Sequence, residues 1–122
     1  MKEIIERFFM ESSKDLLEYL SAGCKIVFTA DTMQYTMEVT ESGGVRVEEG
    51  KRNGDIEIIG ETDVLRDLFS SGSLEGYVDK MCSYIKLGKK PKLKILMERN
   101  LENTKRFMRN YYVPLLKLYI LR

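Results

Sequence analysis

The stretch from Cys24 to Gly88 constrains the fold more than any other. It reads as four short alternating strands, two helices that meet at Gly72, and one further strand. Gln34 to Thr40 alternates cleanly, with Tyr35, Met37 and Val39 on one side and Gln34, Thr36, Glu38 and Thr40 on the other. Cys24 to Ala30 carries apolar residues on both faces, which suits a central strand. Ser42-Gly43-Gly44 and Asn53-Gly54 supply turns, because glycine and asparagine tolerate positive φ. Val45 and Val47, then Ile56 and Ile58, continue the inward face, with Asp55 and Glu57 outside. The connections are too short for crossover helices, so these strands are expected to be antiparallel.

The helices follow from spacing and caps. Thr62 is placed to cap a short helix whose inner face is Leu65, Leu68 and Phe69. Ser73 starts another, with Leu74, Tyr77, Val78 and Met81 at i, i+3, i+4 and i+7. Ser83 to Leu87 is expected to be the fifth strand. An N-terminal stripe of Ile5, Phe8, Phe9, Ser12, Leu16, Tyr19 and Leu20 predicts a helix to about residue 20. Pro91 suits a helix first turn, and Leu93, Met97, Leu101, Thr104, Met108 and Tyr111 form a stripe beyond it. A single domain over 1–122, with an extended C-terminal helix over about 91–122, is the expected organisation.

The chemistry-bearing residues are few. The chain has no His and two Cys, so neither an all-cysteine nor a cysteine–histidine tetrahedral zinc set can form within it. No metal or other cofactor is expected. Asp55/Glu57 and Glu48/Glu49 are carboxylate pairs, but on an exposed strand face or at a turn, where nothing raises a pKa for acid catalysis. No phosphate loop, nucleophile elbow or metal spacing occurs. A catalytic residue is therefore not expected, and the chain is not read as an enzyme. Met1-Lys2-Glu3 opens directly into an amphipathic pattern, and no apolar run could span a bilayer. Cytoplasmic residence is the resulting expectation.

Charge is split along the chain. Residues 1–82 carry 9 Lys/Arg and 17 Asp/Glu, a net of −8, and residues 83–122 carry 11 and 2, a net of +9. The basic end has three readings. It can be a solvated face that offsets the acidic body. It can touch anionic lipid headgroups through Lys105, Arg106, Arg109, Tyr112 and Lys117. Nucleic acid is disfavoured, because residues 1–82 would repel a polyanion.

Three pieces then carry a resemblance: Gly54-Asp55-Ile56-Glu57-Ile58, Val64-Leu65-x-x-Leu68-Phe69-x-x-Gly72, and Tyr84-Ile85-Lys86-Leu87-Gly88. In this order they resemble the sterol carrier protein type 2 family over about residues 20–100. The resemblance implies an α/β (α+β) fold with a five-stranded, mainly antiparallel sheet covered on one face by helices. It implies non-catalytic binding or transfer of a lipid or fatty-acyl ligand in an apolar tunnel between the sheet and the C-terminal helices. Carried onto this chain, the tunnel-facing residues would be Met37, Val47, Ile58, Phe69, Tyr77, Met81, Ile85, Leu93 and Met97. The chain lacks a C-terminal Ser-Lys-Leu address, so a peroxisomal location does not carry over. The alternative from another class is a protein-interaction module with a solid core, dimerising through the basic amphipathic C-terminal segment.

Overall fold

A computed structural model describes residues 1–11, 20, 22–42, 44–51, 54, 56–84 and 93–97. Its elements are α1 (Lys2–Glu11), β1 (Lys25–Ala30), β2 (Met33–Val39), β3 (Val45–Glu49), β4 (Ile56–Gly60), α2 (Thr62–Phe69), α3 (Leu74–Tyr84) and β5 (Leu93–Met97). The five strands form one sheet in the order β3-β2-β1-β4-β5. Three pairs are antiparallel, and β1 with β4 is parallel. The helices bury their apolar faces against one side of this sheet, where Ile5, Phe9, Ile26, Phe28, Ile58, Leu65 and Tyr77 are fully enclosed.

The parallel pair corrects the all-antiparallel expectation, and the register explains how a short connection achieves it. Glu49 stands level with Tyr35, Phe28 and Ile58 across the sheet. The chain leaves β3 at Glu49 and enters β4 at Ile56, so it retreats only two residues, about 7 Å. Crossing from β3 over β2 and β1 costs three strand spacings, about 14 Å. Seven extended residue steps reach roughly 23 Å, so no crossover helix is needed.

The described residues of this strap, Gly50, Lys51 and Gly54, lie over the face opposite the helices. Thr36 Oγ1 donates to the Gly50 carbonyl at 2.8 Å, and Lys51 Nζ reaches Glu57 Oε1 at 3.0 Å. Thr36 and Glu57 flank Val27 in register, and Val27 is itself buried. At Gly54 the backbone passes so close that an added Cβ would lie 2.7 Å from Val27 Cγ2. Glycine is thus needed there for space. Apolar residues on both faces of β1 place it centrally, as its sequence implied, and among the described residues Gly54 of the strap lies against Val27.

The fifth strand is Leu93–Met97, not Ser83–Leu87. Ser83 and Tyr84 instead complete α3, and Ile85–Gly88 lie outside the described residues. Residues i and i+4 share a face in a helix and in a strand alike, so the Leu93/Met97 spacing fits both. The residues between them decide. Leu93 is buried while Lys94 and Leu96 are exposed, and all five residues pair with β4 in antiparallel register. The C-terminal helix expected from about residue 91 therefore does not include 93–97, and 98–122 lie outside the described residues. So do 12–19, where the N-terminal stripe was expected to continue.

Gly54→Ala should destabilise the fold by about 1–3 kcal/mol through overpacking against Val27. Chemical denaturation of Gly54→Ala, Val27→Ala and the double variant measures this. The double variant should lose less than the sum of the two single changes, since trimming Val27 makes room for the new methyl.

Candidate functional site

Phe69, at the end of α2, is the centre of the helix-side interior. Its ring packs edge-on to Phe28 of β1 at 5.1 Å and nearly parallel to Tyr77 of α3 at 5.9 Å. Phe8 and Phe9 of α1 complete the group at 5.9 and 6.0 Å from it. Each such pair adds about 0.5–1.5 kcal/mol beyond the area it buries. One aromatic cluster thus joins α1, α2, α3 and the central strand.

Seven of the nine residues expected to face a tunnel lie in this same interior. Met37, Val47, Ile58, Phe69, Tyr77, Met81 and Leu93 are all buried in one contiguous apolar cluster. Ile85 and the side chain of Met97 lie outside the described residues, although the register sets the Met97 backbone beside Ile56. Lys105, Arg106, Arg109, Tyr112 and Lys117 lie outside the described residues as well. Phe8, Phe9, Phe28 and Leu65, not expected among those nine, are buried in the same cluster. The signal was present in the helical stripe of α1 and in the alternation of β1.

Polar groups stand around this interior, on its rim or on the other face. Asp31, in the β1–β2 turn, has φ 56° and directs Oδ2 at the start of α2. It accepts from the Thr62 amide at 3.1 Å and the Thr62 hydroxyl at 2.6 Å. Those bonds, the hydroxyl first, hold the Asp31 carboxyl below its ordinary range. Thr62 is therefore the first helical residue rather than the cap. The cap comes from a residue 31 positions earlier, which no local pattern reveals. Ser73 does cap α3, its Oγ accepting from the Gly76 amide at 3.0 Å.

Glu57 corrects another expectation, because it is buried rather than exposed. Thr29 Oγ1 donates to its Oε2 at 2.7 Å, and Lys51 holds the other oxygen. Gln34 Nε2 in turn donates to Thr29 Oγ1 at 3.3 Å. The Thr29 bond is the main cause of a lowered Glu57 pKa, which burial opposes and Lys51 reinforces. Glu57 therefore stays ionised and fastens the strap. Beyond it, the same face carries two open depressions of about 300 and 200 Å³ that share Glu38 and Arg46. Their lining is polar and of mixed charge sign.

A third polar group ties α3 to α2. Asp67 Oδ1 receives Lys80 Nζ at 3.0 Å, and Oδ2 receives the Tyr84 hydroxyl. Lys80 also reaches the Asp67 carbonyl at 3.1 Å. Tyr84 first, then Lys80, lowers the Asp67 pKa. The same hydrogen bond to Asp67 pushes the Tyr84 phenol up to about 12.

Among the described residues, no group of three or more Cys, Asp or Glu could hold a metal ion. Among them, too, no helix is long and apolar enough to cross a membrane.

No family model and no curated protein matches the chain. Solved structures do. The "UbiJ-SCP2 Ubiquinone synthesis protein" superposes with a TM-score of 0.54 at 15% identity, over 99% of this chain and 88% of that one. The fold is sterol-carrier-like. A candidate sterol carrier protein from Thermus thermophilus, a conserved hypothetical protein solved in solution, gives a TM-score of 0.47 at 10% identity. That match covers 97% of this chain and 85% of the other.

Linkage at the Asp67–Tyr84 pair has a definite sign. A raised Tyr84 pKa stabilises the fold below pH ~10 and loses that contribution as pH rises through about 12. A lowered Asp67 pKa stabilises above pH ~4 and loses its contribution as pH falls through the folded value. The stability difference between wild type and Tyr84→Phe should therefore be flat near neutrality and shrink at both extremes. Denaturant titrations from acid to alkaline pH check this. A difference that stays constant above pH 10 would contradict the assigned hydrogen bond.

Proposed function

We propose that this protein binds or transfers a lipid or fatty-acyl ligand without chemically altering it. The ligand's apolar chain would enter the interior between the sheet and the helices, where it would lie against Met37, Val47, Ile58, Phe69, Tyr77, Met81 and Leu93, with Ile85 and Met97 extending the lining. The supporting observation is that interior itself. It is contiguous and apolar, with Met37 and Met81 among its side chains, in a sterol-carrier-like fold. Met37 and Met81 are unbranched and adapt to irregular shapes better than Ile or Val would. The tight polar network around Glu57 lies on the opposite face and offers an acyl chain nothing.

Burial of acyl methylenes supplies the binding energy. Each contributes about 0.8 kcal/mol, so ten would give roughly 8 kcal/mol before the cost of association. That cost is about 4–15 kcal/mol, so short chains should bind weakly and long ones usefully. Affinity should accordingly rise about fourfold per added methylene until the available space is full. Native mass spectrometry with saturated fatty acids of increasing length measures this. An isoprenoid quinone belongs in the same series, because the similar structure is named for ubiquinone synthesis. Absence of any lipid adduct, or affinity independent of chain length, would contradict the reading.

The basic end would bring the protein to its lipid source. Residues 83–122 carry a net charge of +9 with Tyr111, Tyr112 and Tyr119 among them, a composition suited to an anionic membrane surface. Each basic residue near such a surface contributes about 1 kcal/mol. Reversing the charge of Lys105, Arg106 and Arg109 should weaken binding to phosphatidylserine vesicles by about 100-fold or more. Vesicle co-sedimentation checks this, and unchanged binding would leave those residues as a solvated surface.

A further inference from the structure

The apolar interior is closed on its helix side by α3, and the way α3 is held differs along its length. Its underside is Leu74, Tyr77, Val78 and Met81, each buried. Its N-terminal end follows a tight turn at Ser70–Ser73, where Gly72 adopts φ +59° with open space around its Cα. Its C-terminal end is fastened by Lys80 and Tyr84 to Asp67. The Lys80 and Asp67 side chains are 37% and 43% exposed, so water can take over their hydrogen bonds when they part. A ligand's apolar atoms can likewise take over the contacts of the α3 underside. Among the described residues, these two sets of contacts on α3 are therefore replaceable, one by water and the other by an apolar ligand. The strap on the opposite face has no such property, because parting Lys51 from Glu57 would leave a carboxylate that is 6% exposed without its counter-charge, held among the described residues by Thr29 alone.

We propose that α3 is the lid through which the apolar interior admits its ligand, hinged at Ser70–Ser73 and held shut by a latch of Asp67, Lys80 and Tyr84. The proposal rests on the lipid-binding reading and adds to it the route of entry. Tyr84→Phe removes a single hydroxyl from the latch and leaves the ring in place, so the variant should fold. In the apo protein, amide exchange of residues 76–83 should accelerate about three- to tenfold, the worth of one half-exposed hydrogen bond to a charged group. Amides of β1 and β4 should keep their wild-type rates. Because α3 would close again over bound ligand, uptake and release of a fluorescent fatty acid should both accelerate by that same factor, with Kd unchanged. Lys80→Met should act in the same direction.

Unchanged exchange in α3 would overturn the latch, as would acceleration spread equally over the sheet. Faster α3 exchange with an unchanged uptake rate would overturn the lid as the route of entry. If wild type took up no fatty acid at all, the lipid reading and the lid's role would fall together. The exchange data on apo protein would still report separately whether the Asp67 cluster restrains α3.

Discussion

The packing of Phe69 against Phe28 holds the molecule together. It brings the end of α2 onto the central strand, and the other two described helices add side chains to the same cluster: Phe8 and Phe9 from α1, Tyr77 from α3. Removing a large ring from such a site costs about 3–5 kcal/mol, a large share of the net stability of a small domain. The proposed lid touches it too, because Tyr77 on the underside of α3 stacks on Phe69. The proposed binding region inherits its walls from the same contacts. Stability and the proposed ligand space would thus draw on one set of side chains.

The two faces of the sheet divide the work. On the helix face, apolar groups meet apolar groups, and dispersion and burial hold them with no fixed geometry. On the other face, Glu57 is held by Thr29 and Lys51, and Thr36 holds Gly50. Such bonds are directional, and a buried carboxylate that loses them is costly. The strap face is therefore rigid by construction, and the helix face is the one that can yield. That asymmetry places adaptability beside the methionines and keeps the β1–β4 pairing fixed behind them.

Much of this was legible in the sequence, for reasons that also explain what was not. The alternation from Gln34 to Thr40 gives β2, because a half-buried strand leaves a period of two. Leu74, Tyr77, Val78 and Met81 give α3, because a half-buried helix leaves a period near 3.6. The resemblance carried by the Ile56–Ile58 and Val64–Gly72 segments anticipates the sterol-carrier-like sheet. Leu93 and Met97 misled, because a spacing of four fits both periods. The parallel β1–β4 pair was invisible, because it depends on where β3 stops relative to β4. Asp31 above Thr62, and Asp67 with Lys80 and Tyr84, join residues 31, 13 and 17 positions apart, so no local pattern signals them. Glu57 looked solvent-facing because its strand alternates. The strap that covers it comes from a different part of the chain.

The most direct test of the account is a methyl NMR titration with a long-chain fatty acid. If the interior behind α3 takes the ligand, the methyl signals of Met37, Ile58 and Met81 should shift saturably and together. Those of Val27 and Thr36, on the strap face, should stay in place. Shifts confined to Val27 and Thr36, or none anywhere at saturating ligand, would contradict the claim that the helix-side interior is the binding site.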